Sequence, residues 1–199
     1  MRIIRKSIQG AIILSKFERF SVGSIMENDT VFVSGSFFDH CVFSNFQGSA
    51  INTRSTLFIS NSVIKNNVSS LGAIHARNSG LISISNFFYQ NSVTGSAQAS
   101  GMGGAFRQKG NWSPSENLGS GPAIFHNSNF ENNSASGWGG ALSFDDAYVA
   151  YVKIENCNFI SNSAGRGGAI YASGGAIGSN REWSIMSSSF IENVAETGG

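Results

Sequence analysis

Phe159-Ile-Ser-Asn162-Ser-Ala-Gly-Arg-Gly167-Gly168-Ala169-Ile170 is the stretch whose reading decides the fold. It holds a large apolar residue, an Asn three places on, a short gap, and then Gly-Gly-Ala-aliphatic. The first element recurs in Ile25-Met-Glu-Asn28, Ile64-Lys-Asn-Asn67, Phe88-Tyr-Gln-Asn91, Phe130-Glu-Asn-Asn133 and Phe190-Ile-Glu-Asn193, and Phe43-Ser-Asn45 is a degenerate copy with its Asn one place early. Five residues before most of these anchors stands a second apolar residue: Phe20, Phe38, Ile59, Phe125, Ile154 and Ile185. Ile84, four before Phe88, reads as a one-residue deletion. A Gly/Ser-Ala-aliphatic triplet completes the unit at Gly10-Ala11-Ile12, Ser49-Ala50-Ile51, Gly72-Ala73-Ile74, Gly104-Ala105-Phe106, Gly140-Ala141-Leu142 and Gly168-Ala169-Ile170, with Val31-Phe32-Val33 in its place once.

Self-similarity of this kind marks a repeat architecture. The anchors step by 18, 21, 24, 42, 29 and 31 residues. Helical repeats keep a nearly fixed length because each helix packs on its neighbour, whereas a strand solenoid places insertions in its turns. The 42-residue step holds one copy of each element, so it reads as one coil with long loops around Val93–Met102 and Lys109–Gly121. Apolar residues two apart in Val152-Lys-Ile154, Trp183-Ser-Ile185, Leu57-Phe-Ile59 and Ile82-Ser-Ile84 put them on one face of a strand. The expected fold is all-β: a right-handed parallel β-helix of about seven three-strand coils, with right-handedness taken from the rule for parallel crossovers. Stacked at about 4.8 Å, seven coils make a rod of about 34 Å. Residues 1–199 read as one domain, and because Gly198-Gly199 stops within a Gly-Gly-Ala motif the chain reads as a fragment of a longer solenoid.

Composition agrees. Hydrophobic residues at 41% supply a core, while charged residues at 13% are about half the usual share, and 24 Gly against 2 Pro suit tight turns. A formal charge of +1 gives nucleic acid no electrostatic foothold, so no nucleic-acid partner is expected. Ala11–Leu14 is too short an apolar run for a secretory signal, and no stretch of 18 apolar residues offers a transmembrane helix.

In such a rod equivalent residues stack. Ile25, Phe43, Ile64, Phe88, Phe130, Phe159 and Phe190 read as one interior column, and Phe20, Phe38, Ile59, Ile84, Phe125, Ile154 and Ile185 as another. Asn28, Asn67, Asn91, Asn133, Asn162 and Asn193 read as a structural asparagine ladder at the turn, where Asn tolerates the left-handed conformation and its amide donates and accepts along the stack. The Gly before Ala is expected to supply positive φ at the next corner.

Phe-x-x-Asn joined to Gly-Gly-Ala-Ile/Leu/Val at variable spacing resembles the repeats of the chlamydial polymorphic outer membrane proteins. Phe130 with Asn133 and Gly139-Gly140-Ala141-Leu142, and Phe159 with Asn162 and Gly167-Gly168-Ala169-Ile170, match the motif in full. The resemblance implies a surface-exposed, pectin-lyase-like right-handed β-helix, adhesin-like in role, at the cell surface or extracellular. It also implies a host-cell or extracellular glycan or protein ligand as partner.

By parity the outward column after each Ala is Asn52, His75, Arg107, Ser143 and Tyr171, followed two residues on by Arg54, Arg77, Lys109, Asp145 and Ser173. Arg54, His75, Arg77, Arg107 and Lys109 thus form a basic stripe. Stacked cations repel, so they are tolerated when solvated or when an anion binds across them. Together with Trp112 in the longest loop they are the candidate ligand-binding residues. No catalytic residue, cofactor or metal site is assigned. Glycoside hydrolysis needs two convergent carboxyl groups, whereas Asp145 falls between Lys109 and Ser173, Glu155 between His126 and Met186, and Glu131 between Tyr89 and Ile160. Asp39 beside His40 reads as a turn pair. Cys41 and Cys157 fall in one inward column about 19 Å apart, too far to bridge, and read as buried free thiols. Of the sequons at Asn28, Asn67, Asn111 and Asn132, glycosylation of Asn67 would conflict with the ladder.

The expected function is a non-catalytic surface module that binds through loops and outer strand faces. The alternatives are a carbohydrate-active lyase or hydrolase of the same fold, and a spacer without ligand.

Overall fold

A spacing of five residues separates Phe125 from Phe130, Ile154 from Phe159 and Ile185 from Phe190. That length allows one strand to end, one corner to turn and the next strand to place a side chain on the same interior. The corner is made by a residue in the left-handed region: Asn61, Ser85, Asn127, Asn156 and Ser187, all with φ between 46° and 54°. A second corner of the same kind follows each anchor at Asn66, Gln90, Asn132, Ser161 and Glu192, with φ between 50° and 55°. Asn and short polar residues populate this conformation at lower cost than branched ones, which explains the polar bias at both sites. The corner residue is therefore the one before each ladder Asn and not the ladder Asn itself, a correction to the sequence reading.

The computed structural model describes residues 11–13, 16–18, 31–33, 37–39, 42–44, 46, 48–53, 56–77, 79–95, 101–110, 121–145, 151–173 and 182–197. Among these residues every element is a short strand, and none is a helix able to cross a membrane. The strands form four parallel sheets. The first contains Ala11–Ile13, Phe37–Asp39, Leu57–Ser60, Leu81–Ile84, Ala123–His126, Tyr151–Glu155 and Glu182–Met186. The second contains Lys16–Glu18, Val42–Ser44, Val63–Lys65, Phe87–Tyr89, Asn129–Glu131, Asn158–Ile160 and Ser189–Ile191. The third is the short ladder Val68–Ser69, Ser92–Val93, Ser134–Trp138, Ser163–Arg166 and Val194–Thr197. The fourth contains Val31–Val33, Ile51–Thr53, Ile74–Arg77, Phe106–Lys109, Leu142–Asp145 and Ile170–Ala172. The chain is a parallel β-helix, and the third sheet adds a fourth strand to each coil from Val68 onward.

The second sheet carries the anchor column in register from Phe17 through Phe43, Ile64, Phe88, Phe130 and Phe159 to Phe190. Its rings stack with centroids 4.7 Å apart for Phe88–Phe130, Phe130–Phe159 and Phe159–Phe190, although the intervening chain is 42, 29 and 31 residues long. The insertions therefore leave the stack undisturbed. Each aromatic pair adds about 0.5–1.5 kcal/mol beyond its buried area.

Two column assignments are corrected. The first coil is set by Ile12, opposite Phe38, and Phe17, opposite Phe43, so Ala11-Ile12 belongs to the first sheet and not to the Gly-Ala-aliphatic position. Phe20, Ile25 and Asn28 lie outside the described residues. In the next case Ser83, not Ile84, stands between Ile59 and Phe125, and Ile84 projects to solvent beside Ser60 and His126. No residue is deleted. Ser83 is tolerated inside because its hydroxyl accepts from Asn86 Nδ2 at 2.8 Å and lies 3.4 Å from Ser128 Oγ.

The ladder amides run through the core corner. Nδ2 of Asn67, Asn91, Asn133 and Asn162 donates to Oδ1 of the next Asn at 2.8–3.0 Å, ending on Asn193. At the other end Phe46 stands at the ladder position and donates its backbone N–H to Asn67 Oδ1. A second, mixed row of Ser62, Asn86, Ser128, Cys157 and Ser188 lines the preceding corner, with Ser62 N donating to Asn86 Oδ1, Asn86 N to Ser128 Oγ and Cys157 N to Ser188 Oγ.

The Gly-Gly pair splits its two duties. Positive φ falls on the first Gly, with 67° at Gly103 and Gly139 and 59° at Gly167, and only at Gly72 does it fall on the residue next to Ala. The second Gly serves close approach: a Cβ on Gly140 would lie 2.1 Å from Gly168 O, and one on Gly104 would lie 2.2 Å from Gly140 O.

Candidate functional site

The inward residues of the fourth sheet, Ile51, Ile74, Phe106 and Leu142, are fully buried, so parity turns Asn52, His75, Arg107, Ser143 and Tyr171 outward. The register aligns them one above another, with Arg77, Lys109 and Asp145 in the neighbouring column. Yet His75 is only 2% and Arg107 1% exposed. The basic residues are therefore not a continuous solvent-facing stripe: Arg77 is exposed, Lys109 is half-buried, and His75 and Arg107 are withdrawn from water. Arg54 and Trp112 lie outside the described residues.

Arg107 reaches diagonally to Asp145, its NH2 donating to Oδ2 at 2.7 Å. Burial, then the charges of Arg107, Arg77 and Lys109, push the pKa of His75 down to about 3, so the imidazole is neutral at physiological pH. Neither His75 nitrogen has a hydrogen-bond partner, nor do Arg107 Nε and Ser143 Oγ. Beside them Gln108 points into the rod, and its Nε2 donates to Ser79 O at 2.6 Å and Gly121 O at 2.9 Å, tying together the crossings of two successive coils where they approach the first sheet.

The tight Gly corner folds the end of the third sheet toward this outer face. A Cβ on Gly139 or Gly167 would lie 3.2 Å from the Cβ of Ser143 or Tyr171. Trp138, last in its third-sheet strand, stacks on Tyr171 of the next coil with centroids 4.8 Å apart. Trp138 is also in register with Arg166, and Arg166 with Thr197. Against the edge of the last described strand of the fourth sheet, Arg166, Gly167, Ile170, Tyr171, Ala172 and Thr197 line an open cleft of about 440 Å³. Aromatic faces beside a guanidinium suit sugar rings and anionic groups.

These coils are also where the chain meets known proteins. Residues 127–145 and 156–173 match the Chlamydia polymorphic membrane protein repeat. No curated protein and no solved structure matches the chain. Each matched polymorphic membrane protein repeat begins at a left-handed corner, Asn127 or Asn156, and ends at Asp145, the last residue of its fourth-sheet strand, or at Ser173, one past it. It thus takes in the second, third and fourth strands of a coil and omits the first strand with the crossing before it. The repeat implies a surface or outer-membrane location and a surface-related β-helix protein.

In these coils Asp145 and Glu155 are engaged singly. Asp145 pairs with Arg107, while Glu155 accepts from Lys153 Nζ at 2.8 Å and lies 3.8 Å from His126 Nε2. The hydrogen bond and charge of Lys153 hold the Glu155 carboxyl below its ordinary range. Among the described residues no group of three His, Cys, Asp or Glu converges as a metal site. Cys157 is a free thiol, buried in the mixed corner row, with its pKa raised by burial. Cys41, His40 and Asp146 lie outside the described residues, as does the side chain of Asp39. Sequence reasoning missed the Arg107–Asp145 pair because it paired Asp145 only with its direct neighbours, when an Arg side chain spans the diagonal. It also missed Trp138 and Arg166, which occupy the variable gap between Asn and Gly-Gly; aromatic and basic residues there were the available signal.

Proposed function

We propose that this chain is a non-catalytic, surface-displayed β-helix module, adhesin-like, that binds a glycan or protein ligand through its outer faces and loops. The observation that carries the reading is the Trp138–Tyr171 stack with Arg166 in register beside Trp138. These three side chains occupy positions the repeat leaves variable, whereas Phe, Asn and Gly-Gly are consumed by core, ladder and corner. The long segments 96–100 and 111–120 belong to the coil between Phe88 and Phe130, where inserted loops carry specificity on a fixed scaffold. A lyase or hydrolase is disfavoured because Asp145 and Glu155 each answer to a cation of their own and do not face each other as a pair.

The test is binding of the purified chain to host-type cells and to a panel of neutral and acidic glycans, with Trp138→Ala, Tyr171→Ala and deletion of 111–120 compared at unchanged far-UV circular dichroism. Loss of binding in any of the three supports the reading. Wild-type affinity in all three removes it in favour of a spacer, and unsaturated product absorbing near 232 nm from polygalacturonate would replace it with a lyase.

A further inference from the structure

His75, Arg107 and Ser143 are consecutive rungs of one outward column, about 4.8 Å apart along the axis. All three are buried, and all three carry polar atoms with no partner: Nδ1 and Nε2 of His75, Nε of Arg107 and Oγ of Ser143. Orphaned buried polar atoms are rare, and each costs its full desolvation. Four on adjoining rungs indicate a shared missing partner more than four separate defects.

The chemistry of that partner follows from what the rungs offer. Arg107 Nε–H, Ser143 Oγ–H and the single N–H of a neutral His75 are donors, so the partner accepts. Among the described residues of this face, Arg77, Arg107 and Lys109 are opposed by Asp145 alone, leaving two positive charges unbalanced. A water would satisfy donors without offsetting that charge, and a metal cation would meet donors of the wrong polarity. Arg107 alone is stripped of water, and the charges of Arg77 and Lys109 beside it keep the potential at these rungs positive, which favours an anion over a water.

We propose that a small monovalent anion, a halide or a carboxylate, seats against His75, Arg107 and Ser143 on the outer face of the fourth sheet. The site lies on earlier coils than the Arg166–Tyr171 cleft and does not depend on the cleft's role. The anion has two sources, a free ion or the carboxylate of an acidic sugar.

The test uses the whole chain. Crystals grown in bromide should show an anomalous peak within hydrogen-bonding reach of Arg107 Nε, and chloride titrations followed by 35Cl line width should saturate. Ser143→Ala, with one donor removed and the fold checked by circular dichroism, should bind chloride roughly tenfold more weakly. Formate should displace chloride in either case. Displacement by galacturonate as well assigns the site to the carboxylate of a ligand, and failure of galacturonate assigns it to a free ion. A map showing water alone, chloride line widths that never saturate, or Ser143→Ala with wild-type affinity would overturn the proposal.

Discussion

Replacing Asn133 by Ala should destabilise the protein far more than the same change at Asn193, and the hydrogen bonds fix by how much. Asn133 Nδ2 donates to Phe88 O and to Asn162 Oδ1, each at 3.0 Å, while its Oδ1 accepts from Asn91 N at 3.1 Å and Asn91 Nδ2 at 3.0 Å. After truncation Asn91 Nδ2 keeps Ile64 O, and Asn162 Oδ1 keeps the backbone N–H of Asn133. The backbone N–H of Asn91, fully buried, keeps nothing. One orphaned donor at about 1–3 kcal/mol and three lost bonds at about 0.5–1.5 kcal/mol each give a loss of roughly 5 kcal/mol. Asn193 makes equivalent bonds to Phe159 O, Asn162 N and Asn162 Nδ2, but it is half-exposed and water replaces them, leaving about 1 kcal/mol. Urea unfolding followed by far-UV circular dichroism reads the difference. With an m-value of about 2.5 kcal/mol/M, Asn133→Ala should lower the midpoint by roughly 2 M and Asn193→Ala by about 0.4 M. Equal shifts, or a loss below 1 kcal/mol at Asn133, would show that the ladder is not a buried network and would refute the reasoning.

Three further outcomes are expected. Gly140→Ala forces a Cβ to within 2.1 Å of Gly168 O and 2.6 Å of Ser163 N, so coils must separate; its thermal midpoint should drop by about 10 °C or the protein should fail to fold, and a midpoint within 2 °C of wild type would deny the close approach. His75 binds its proton with a pKa near 3 in the folded chain against an ordinary 6.5, so between those values the unfolded chain holds more protons. Stability should fall as pH drops from 6.5, by about 1.4 kcal/mol per pH unit in chloride-free buffer, and the groups facing His75 are the cations Arg107, Arg77 and Lys109. His75→Gln should flatten that slope, and an unchanged slope sinks the assignment. Cys157 should resist a thiol reagent at pH 8 in the native state and react on unfolding, as read by site-resolved mass spectrometry; rapid native labelling would contradict its burial.

Much of the scaffold is legible because its rule is local. The step of five from the first-sheet interior residue to the anchor holds for Phe38–Phe43, Ile59–Ile64, Phe125–Phe130, Ile154–Phe159 and Ile185–Phe190. It also holds for Ile12–Phe17 and Ser83–Phe88, the two places where the sequence reading departs from the structure. At the first, Ile25-Met-Glu-Asn28 matched the anchor motif and drew the register away. At the second the apolar Ile84 was taken for the column residue, whereas the column position is Ser83, which the polar row at Asn86 and Ser128 accommodates. The third sheet escaped notice for another reason. Val68–Ser69 and Ser92–Val93 are two-residue strands of small side chains, held by backbone pairing that leaves no hydrophobic period to read.

The outward columns were legible by parity, and the register of His75 with Arg107 and Ser143 follows from it. Their burial was not, since parity gives the direction of a side chain and not what covers it. The spacings show where the coil is free to vary. From the first to the second sheet the step in register is always five, whereas from the fourth sheet to the next first strand it runs from 7 for Val31–Phe38, 8 for Ile51–Ile59 and 9 for Ile74–Ser83 to 12 for Leu142–Ile154, 15 for Ile170–Ile185 and 19 for Phe106–Phe125. A corner made by one left-handed residue admits no insertion, while a crossing with no fixed geometry admits any length. The matched repeats stop at Asp145 and resume at Asn156 across one such crossing. Variation is thereby concentrated on the two flanks of the fourth sheet, in the crossing that follows it and, between Phe88 and Phe106, in the segment that precedes it.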